Sequence, residues 1–102
     1  MAILERQISQ LRPGKAKEVI EISKRFDLIE KRMGFPLKRF YSSLAGEPVN
    51  TMVMEREWES LAAYENAWAQ ALSDPDWKAL GAQRTDLSIS HRTEFYKVVD
   101  QA

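Results

Sequence analysis

Four stretches of the chain carry the apolar pattern that is typical of β-strands. Apolar and polar residues alternate, or β-branched and aromatic residues cluster, over residues 3–11, 38–45, 51–58 and 88–99. The triplet Arg12-Pro13-Gly14 ends the first stretch, and "GEPVN" joins the second to the third as a turn. The pattern therefore predicts four strands, the middle two of which form a hairpin.

Between the first two strands the period changes to that of a helix. Over residues 15–33 apolar residues recur at spacings of three and four, namely Val19, Ile22, Phe26, Ile29 and Met33. Gly34 is a natural C-cap, and Pro36 prevents the helix from continuing. The spacing predicts one amphipathic helix.

A second helical stretch follows the third strand and is interrupted by "SDPDW". Ser60 is a favoured N-cap, and the predicted buried face is Leu61, Tyr64, Trp68 and Leu72. Asp74 suits a second N-cap and Pro75 the first helical position, so we predict a shorter third helix with Trp77 as its buried anchor. The alternative, a catalytic pair formed by Asp74 and Asp76, is less favoured because capping accounts for both residues.

The predicted order is β-α-β-β-α-β with an extra short helix before the last strand. This order indicates an α+β fold of the ferredoxin-like type over residues 1–102, with an antiparallel sheet and helices on one face. Large apolar side chains are predicted on both faces of the sheet; Val53, Tyr96 and Val98 lie on the face away from Met54 and Phe95. We therefore expect a homodimer in which two copies pack sheet against sheet.

The hairpin register decides which polar side chains share a face. One register places Phe40 opposite Glu55 and Arg39 opposite an arginine, whereas a shift of one residue places Phe40 opposite Met54 and Arg39 opposite Glu55. Like charges directly opposed are unfavourable, so the second register is predicted, with an Arg39–Glu55 ion pair as one outcome.

Composition narrows the function classes. The chain of 102 residues has 15 basic and 15 acidic residues and no cysteine. This balance gives no electrostatic case for nucleic acid or membrane partners, and it excludes disulfides and thiolate chemistry. We find no signal peptide and no apolar run long enough to cross a bilayer, so we expect a cytoplasmic protein.

Three segments carry a resemblance to a known family. "RPGK" after the first strand, "REWESLAAYENAW" at the second helix and "SDPDWKAL" after it resemble the NIPSNAP-type proteins of the dimeric α+β barrel superfamily. The resemblance implies a ferredoxin-like protomer whose sheet pairs with that of a partner. The superfamily includes cofactor-free monooxygenases, haem-degrading enzymes and isomerases. Haem is not expected here, because the second helix has no histidine where those relatives would ligate iron.

Candidate chemistry centres on the strands. His91, the single histidine, and Tyr41 are the weak catalytic candidates, since imidazole titrates near neutral pH. The predicted ligand-binding set is Arg6, Arg39, Tyr41, Glu55, Trp58, Trp77, His91 and Arg92. An arginine would hold the anion of a small organic acid or aromatic ligand, and an aromatic side chain would pack on its ring. Internal salt bridging alone is the competing interpretation. No metal site and no cofactor are expected.

Two hypotheses follow from these patterns. The first is a homodimeric protein that binds a small organic molecule, with a cofactor-independent monooxygenase or an isomerase as the candidate activities. The second is a non-catalytic structural or protein-interaction module. An open cleft lined by His91 and an arginine would favour the first, whereas a cavity filled by side chains would exclude it.

Overall fold

The computed structural model describes residues 1–99 as a four-stranded antiparallel sheet with three helices. In chain order the elements are β1 (Ile3–Leu11), α1 (Ala16–Arg32), β2 (Lys38–Ser42), β3 (Thr51–Trp58), α2 (Leu61–Leu72), α3 (Pro75–Thr85) and β4 (Ser88–Lys97). The predicted ferredoxin-like fold class is confirmed. β2 and β4 end earlier than predicted, at Ser42 and Lys97.

The strand order in the sheet is β2-β3-β1-β4, so β1 and β3 are central and β2 and β4 form the edges. Phe40 pairs with Met54 and Arg39 with Glu55, which confirms the predicted hairpin register. Alternation of side chains then divides the sheet into a helix-facing side and an opposite side, which we call the open face. On β1, Gln7 and Ser9 belong to the helix-facing side, whereas Arg6 belongs to the open face.

The hydrophobic core lies between α1, α3 and one end of the sheet. Its members are Leu11, Val19, Ile22, Phe26, Ile29, Met52, Leu80 and Leu87. Four of these residues belong to α1, and all four are among those that the helical spacing places on the apolar face of this helix. The helix then ends because Gly34 takes a positive φ of 77°, a conformation that glycine adopts without steric cost.

The two predicted helix starts after β3 are confirmed. Ser60 Oγ accepts from the Ala63 N–H at 3.1 Å, and Asp74 Oδ1 accepts from the Trp77 N–H at 3.0 Å. Each bond satisfies a backbone donor that has no partner within its helix. The joint at "SDPDW" is therefore structural.

The predicted buried face of α2 is wrong in part. Ala67 and Ala71 are its buried residues, whereas Leu61 is 50% exposed and Leu72 is 56% exposed. Tyr64 and Trp68 are half-buried, as residues on the edge of the buried face would be. Small residues let α2 approach its neighbours closely, and hydrophobic spacing alone does not distinguish that arrangement from a leucine-lined face.

The open face carries more charge than the apolar pattern predicted. Arg39, Glu55, Arg6 and Glu94 lie side by side across all four strands. Arg6 Nε binds Glu55 Oε2 at 2.7 Å, so the predicted ion pair between Arg39 and Glu55 is wrong: β1 supplies the cation instead of β2. Apolar side chains flank this row, among them Val53 and the partly exposed Tyr96.

None of the helices in residues 1–99 is long and apolar enough to cross a bilayer.

Candidate functional site

A cleft of about 580 Å³ lies between the helix-facing side of the sheet and the three helices. Gln7, Ser9, Met52, Met54 and Arg56 are among the sheet residues that line it. α1, α2 and α3 contribute the opposite wall, chiefly through Phe26, Glu30, Trp68, Trp77 and Arg84. A volume of this size is in the range of small-molecule sites.

A buried ion cluster closes one end of the cleft. The Glu30 carboxylate accepts from Arg56 at 2.7 Å and from Lys38 Nζ at 2.9 Å, both through Oε1. Its second oxygen accepts from Trp77 Nε1 at 3.3 Å, while Lys38 also contacts the exposed Asp27 at 3.2 Å. Two cations and two carboxylates are therefore in contact at this end, and the fully buried Glu5 lies opposite Arg56 in the sheet.

The Nε–H of Arg56 is a buried donor within this cluster. The side chain of Arg56 is only 4% exposed, its guanidinium lies over the rings of Phe35 and Trp58, and its Nε has no hydrogen-bond partner. Buried donors are nearly always satisfied, so this N–H is an exception, and its burial keeps it out of contact with the space of the cleft.

His91 lies at the other end of the cleft, on the edge strand β4. Its Nδ1 is 2.8 Å from Ser9 Oγ, which leaves Nε2 without a protein partner among residues 1–99. Burial, together with the nearby positive charge of Arg84, lowers the His91 pKa below its ordinary value, although Glu5 acts in the opposite direction. The imidazole is thus held neutral at physiological pH, the form that accepts a proton.

Arg84 brings an uncompensated cation to the same end. Its guanidinium donates to Ser88 Oγ, and no carboxylate within residues 1–99 forms an ion pair with it. Arg84 is half-buried, and this burial lowers the pKa of its guanidinium. A half-buried cation without a counter-ion favours an anionic ligand, because a charge removed from water is stabilised by an opposite charge.

Aromatic and methionine side chains line the middle of the cleft. Trp77 makes edge contacts with Phe26 and Trp68, at ring-centroid distances of 5.7 and 5.0 Å. Met52 and Met54 face them from the sheet. Flat rings and flexible thioethers together suit an apolar, planar ligand body.

The eight residues predicted to bind a ligand do not form one site. Trp77 and His91 line the cleft, and Trp58 lies on the same side of the sheet, where its Nε1 donates to the fully buried Glu5 at 2.9 Å. The other five are on or beside the open face, namely Arg6, Arg39, Tyr41, Glu55 and Arg92. Tyr41 is therefore separated from His91 by the sheet. A ligand-binding role for these five residues stays a prediction, and it would require a site formed between two copies of the chain.

Sequence reasoning missed the three cations that line the cleft. Arg56 lies in the segment "REWES" and Arg84 in the last turn of α3, where a basic residue is usual for dipole reasons alone. Lys38 belongs to a basic run that the sequence suggests is solvated, but its side chain is only 8% exposed. The confirmed hairpin register, together with the alternation of side chains along a strand, would have placed Lys38 and Arg56 on the helix-facing side. No comparable signal in the sequence points to Arg84.

A smaller cavity of about 130 Å³ lies on the other side of His91. Ile8, Glu47, Pro48 and Arg92 line it, with the connection between β2 and β3 folded against β1 and β4. The Arg92 guanidinium binds the Glu47 carboxylate at 2.8 Å and holds this connection in place. Within residues 1–99, no three or more histidine, aspartate or glutamate side chains are grouped as a metal site would require.

The fold is a ferredoxin-like α+β domain with a cleft between its sheet and its helices. A family model described as NIPSNAP matches residues 7–99, and the chain belongs to the NIPSNAP family. A NIPSNAP family protein of Agrobacterium tumefaciens is 20% identical with a TM-score of 0.84, the match covering 99% of this chain and 91% of that one. A NIPSNAP-like domain protein of Burkholderia xenovorans is 21% identical with a TM-score of 0.82, covering 99% and 88%.

A further similar structure is that of a known enzyme. SnoaB, a cofactor-independent oxygenase of Streptomyces nogalater, is 15% identical with a TM-score of 0.74, covering 98% of this chain and 95% of that one. At this identity the similarity shows a common fold. No curated protein matches the chain.

Proposed function

We propose that this NIPSNAP protein binds a small organic acid with a flat apolar body in the cleft between sheet and helices. The observation that carries the proposal is the half-buried Arg84, which lines a cavity of about 580 Å³ and has no carboxylate partner within residues 1–99. A ligand carboxylate or enolate supplies that partner, and the rings of Trp68 and Trp77 pack on the ligand body.

The proposed chemistry is proton transfer by His91. Its neutral imidazole takes a proton from an acidic C–H of the ligand, and the enolate that remains is stabilised by Arg84. If the proton returns at another carbon, the protein is an isomerase. If O2 intercepts the carbanion, a CH2 group becomes a carbonyl and one water leaves, the net change being R2CH2 + O2 → R2CO + H2O. The fold shared with a cofactor-independent oxygenase supports testing the second route.

We also propose that two copies associate through the open face. The partly exposed Tyr41 and Tyr96 support this, because a partner sheet would cover them. The charged row of Arg6, Glu55 and Glu94 does not oppose it, because its charges alternate in sign and pair within one copy.

Binding is tested by titrating the protein with aryl carboxylates and following tryptophan fluorescence. Arg84→Gln should weaken binding of the acids at least about tenfold, the loss expected for a charge-assisted hydrogen bond. Arg25→Gln, which changes an exposed arginine on α1, is the matched control and should leave affinity unchanged. If no aryl acid binds at millimolar concentration, or if both variants bind alike, the proposal is wrong.

The reaction is tested with a bound acid in D2O and under O2. Deuterium incorporation at a ligand carbon reports proton abstraction, and oxygen uptake with product mass separates oxygenase from isomerase. His91→Ala should abolish exchange while ligand binding persists. Exchange that is equally fast in this variant rejects His91 as the base, and binding without exchange or turnover in the unaltered protein favours the non-catalytic alternative.

A further inference from the structure

We infer that Gln7 selects ligands that carry a hydroxyl group on their flat body, a ring's length from the acid group that pairs with Arg84. This inference rests on the proposed function of the cleft and adds the chemical class of its ligand. The class is a hydroxyaryl acid whose hydroxyl donates a hydrogen bond to the side-chain oxygen of Gln7.

Gln7 lies on the floor of the cleft, in the middle of the sheet. It belongs to the central strand β1 and pairs with Met54 on β3, which is apolar and lines the cleft as well. Ser9, the next residue of β1 on the same side, contacts His91 at the end of the cleft where Arg84 also lies. Gln7 therefore places a polar group under the body of a ligand whose acid is held at that end.

A hydrogen bond to Glu5 fixes the orientation of the Gln7 amide. Glu5 is fully buried, and its Oε1 already accepts from Trp58 Nε1 at 2.9 Å. Its Oε2 accepts from Gln7 Nε2 at 2.6 Å. Because a carboxylate only accepts hydrogen bonds, the NH2 branch of the amide faces Glu5 and the Oε1 branch is turned away from it.

The Oε1 atom of Gln7 is within reach of a ligand. Gln7 is partly exposed and lines the cleft, and its Oε1 has no hydrogen-bond partner within residues 1–99. Among the buried and half-buried residues of that range, the unpaired side-chain atom that is closed off from solvent is Arg56 Nε, so Gln7 Oε1 retains accessible surface. A donor on the ligand can therefore bind to it.

The charge of Glu5 determines which polar group is preferred at Gln7. A carboxylate behind the amide polarises it and makes Oε1 a stronger acceptor, because hydrogen bonds in a chain reinforce one another. A hydroxyl donates to this oxygen, whereas a methoxy group has no hydrogen to donate and leaves Oε1 unpaired once water is displaced. A second carboxylate on the ligand would also lie near the buried charge of Glu5, which is costly.

The position of the hydroxyl follows from the spacing of residues along β1. Gln7 and Ser9 are two residues apart, about 7 Å along the strand. Since Ser9 marks the end of the cleft that holds His91 and Arg84, the hydroxyl and the acid group are separated by a similar distance. A benzene ring with its two substituents in para positions spans that length.

The test compares three acids that differ in one substituent, with affinities measured by isothermal titration calorimetry. They are para-hydroxyphenylacetate, para-methylphenylacetate and para-methoxyphenylacetate. The hydroxy compound should bind the unaltered protein about fivefold more tightly than the methyl compound, as one neutral hydrogen bond predicts. The methoxy compound should bind no more tightly than the methyl compound.

Gln7→Leu isolates the amide, since leucine is of similar bulk and has no polar side-chain atom. In this variant the hydroxy compound should lose its advantage over the methyl compound. Gln10→Leu is the matched control, because it changes a glutamine of the same strand that lines the smaller cavity and not the cleft, and it should retain the preference. In Arg84→Gln all three acids should bind more weakly while the preference persists.

The outcomes separate the two proposals. If none of the acids binds at millimolar concentration, the proposed function fails and the inference with it. If the acids bind through Arg84 but the unaltered protein does not prefer the hydroxyl, the inference is overturned and the proposed function stands. A preference that survives in folded Gln7→Leu, or that is lost equally in Gln10→Leu, also overturns the assignment to Gln7. Circular dichroism establishes that each variant folds, and the comparison of ligands on the unaltered protein needs no variant.

Discussion

His91 is the residue whose environment is most directly tied to pH. Its pKa is lowered mainly by burial and then by Arg84, so the folded protein disfavours the imidazolium that the unfolded chain forms near pH 6.5. The unfolded state therefore binds more protons once pH falls below that value. The stability that His91 contributes is fully present above its ordinary pKa and is lost as pH falls through the folded pKa.

We expect the free energy of unfolding to fall as pH is lowered from 7.5 to 5.5, and His91→Asn to remove part of that slope. Urea unfolding at intervals of half a pH unit measures how the free energy of unfolding changes with pH. Asparagine retains hydrogen-bonding capacity toward Ser9 but does not titrate, so it separates the charge from the contact. Identical slopes in the two proteins would show that the His91 pKa is not lowered.

Glu30 holds together the other end of the cleft. Its carboxylate is buried between Arg56 and Lys38, and removing it leaves two cations without their main partner. Glu30→Ala should cost about 3–5 kcal/mol of unfolding free energy, measured by chemical denaturation. Glu21→Ala, on the exposed side of the same helix, should change it by less than about 0.5 kcal/mol. Similar losses in both variants would mean that the buried cluster contributes no specific stability.

Residue-level prediction from the sequence succeeded where chemistry alone singles out a side chain. His91 is the only histidine and Trp77 follows a recognisable cap, so both were named, and both line the cleft. Arg84 was not named, because an arginine near the end of a helix is common and its burial depends on how α3 packs on the sheet. Arg6 and Arg92 were named as well, but the alternation of side chains along their strands places both on the open face, away from the cleft.

α3 contains a glycine where a helix would favour another residue. Gly81 lies in the interior of the helix, lines the cleft, and has no heavy atom within 4 Å of the position that a Cβ would occupy. Its φ is not in the positive region, so conformation does not require glycine there. The open space beside it is the cleft itself, which a larger residue would reduce.

Gly81→Ala should therefore raise the free energy of unfolding by up to about 1 kcal/mol, because alanine favours the helix. It should also weaken binding of flat aryl acids, since the new methyl group projects toward the ligand space. Thermal unfolding and the fluorescence titration measure the two effects on one sample. A variant that is more stable and binds with unchanged affinity would show that the ligand does not reach this turn of α3.

At the level of elements, sequence patterns predicted the four strands, three helices, both N-caps and the hairpin register. Each of these depends on local chemistry: alternation, a capping side chain, or like charges kept apart. The predicted buried face of α2 was wrong in part. Leu61 and Leu72 have the spacing of a buried face, but the alanines are the residues that this helix buries. Spacing identifies candidate faces, and packing against the rest of the molecule selects among them.

At the scale of the whole molecule, the sheet presents two chemically different sides. One side faces the helices and holds the cleft, and the other carries Arg6 paired with Glu55 and flanked by Val53. Val53 lies on the central strand β3, between β2 and β1, so it occupies the middle of any interface formed there.

We expect Val53→Lys to prevent the proposed association, because an unpaired charge would be buried at the centre of the interface. Sedimentation velocity should show a dimer for the unaltered protein and a monomer for this variant at micromolar concentration. Ile20→Lys, on an exposed position of α1, is the control and should remain dimeric. A monomeric unaltered protein, or a dimer that tolerates Val53→Lys, contradicts packing of sheet against sheet.

Most of the residues that maintain this architecture are not the ones that line the cavity. Val19, Ile22, Ile29, Leu11 and Leu87 form the bulk of the interior without bordering the cleft, and only Phe26 and Met52 serve both. Natural selection can thus alter ligand preference through a small set of wall positions while the scaffold persists. Such a division of labour offers a physical reason why chains that differ from this one at about four positions in five still superpose on it.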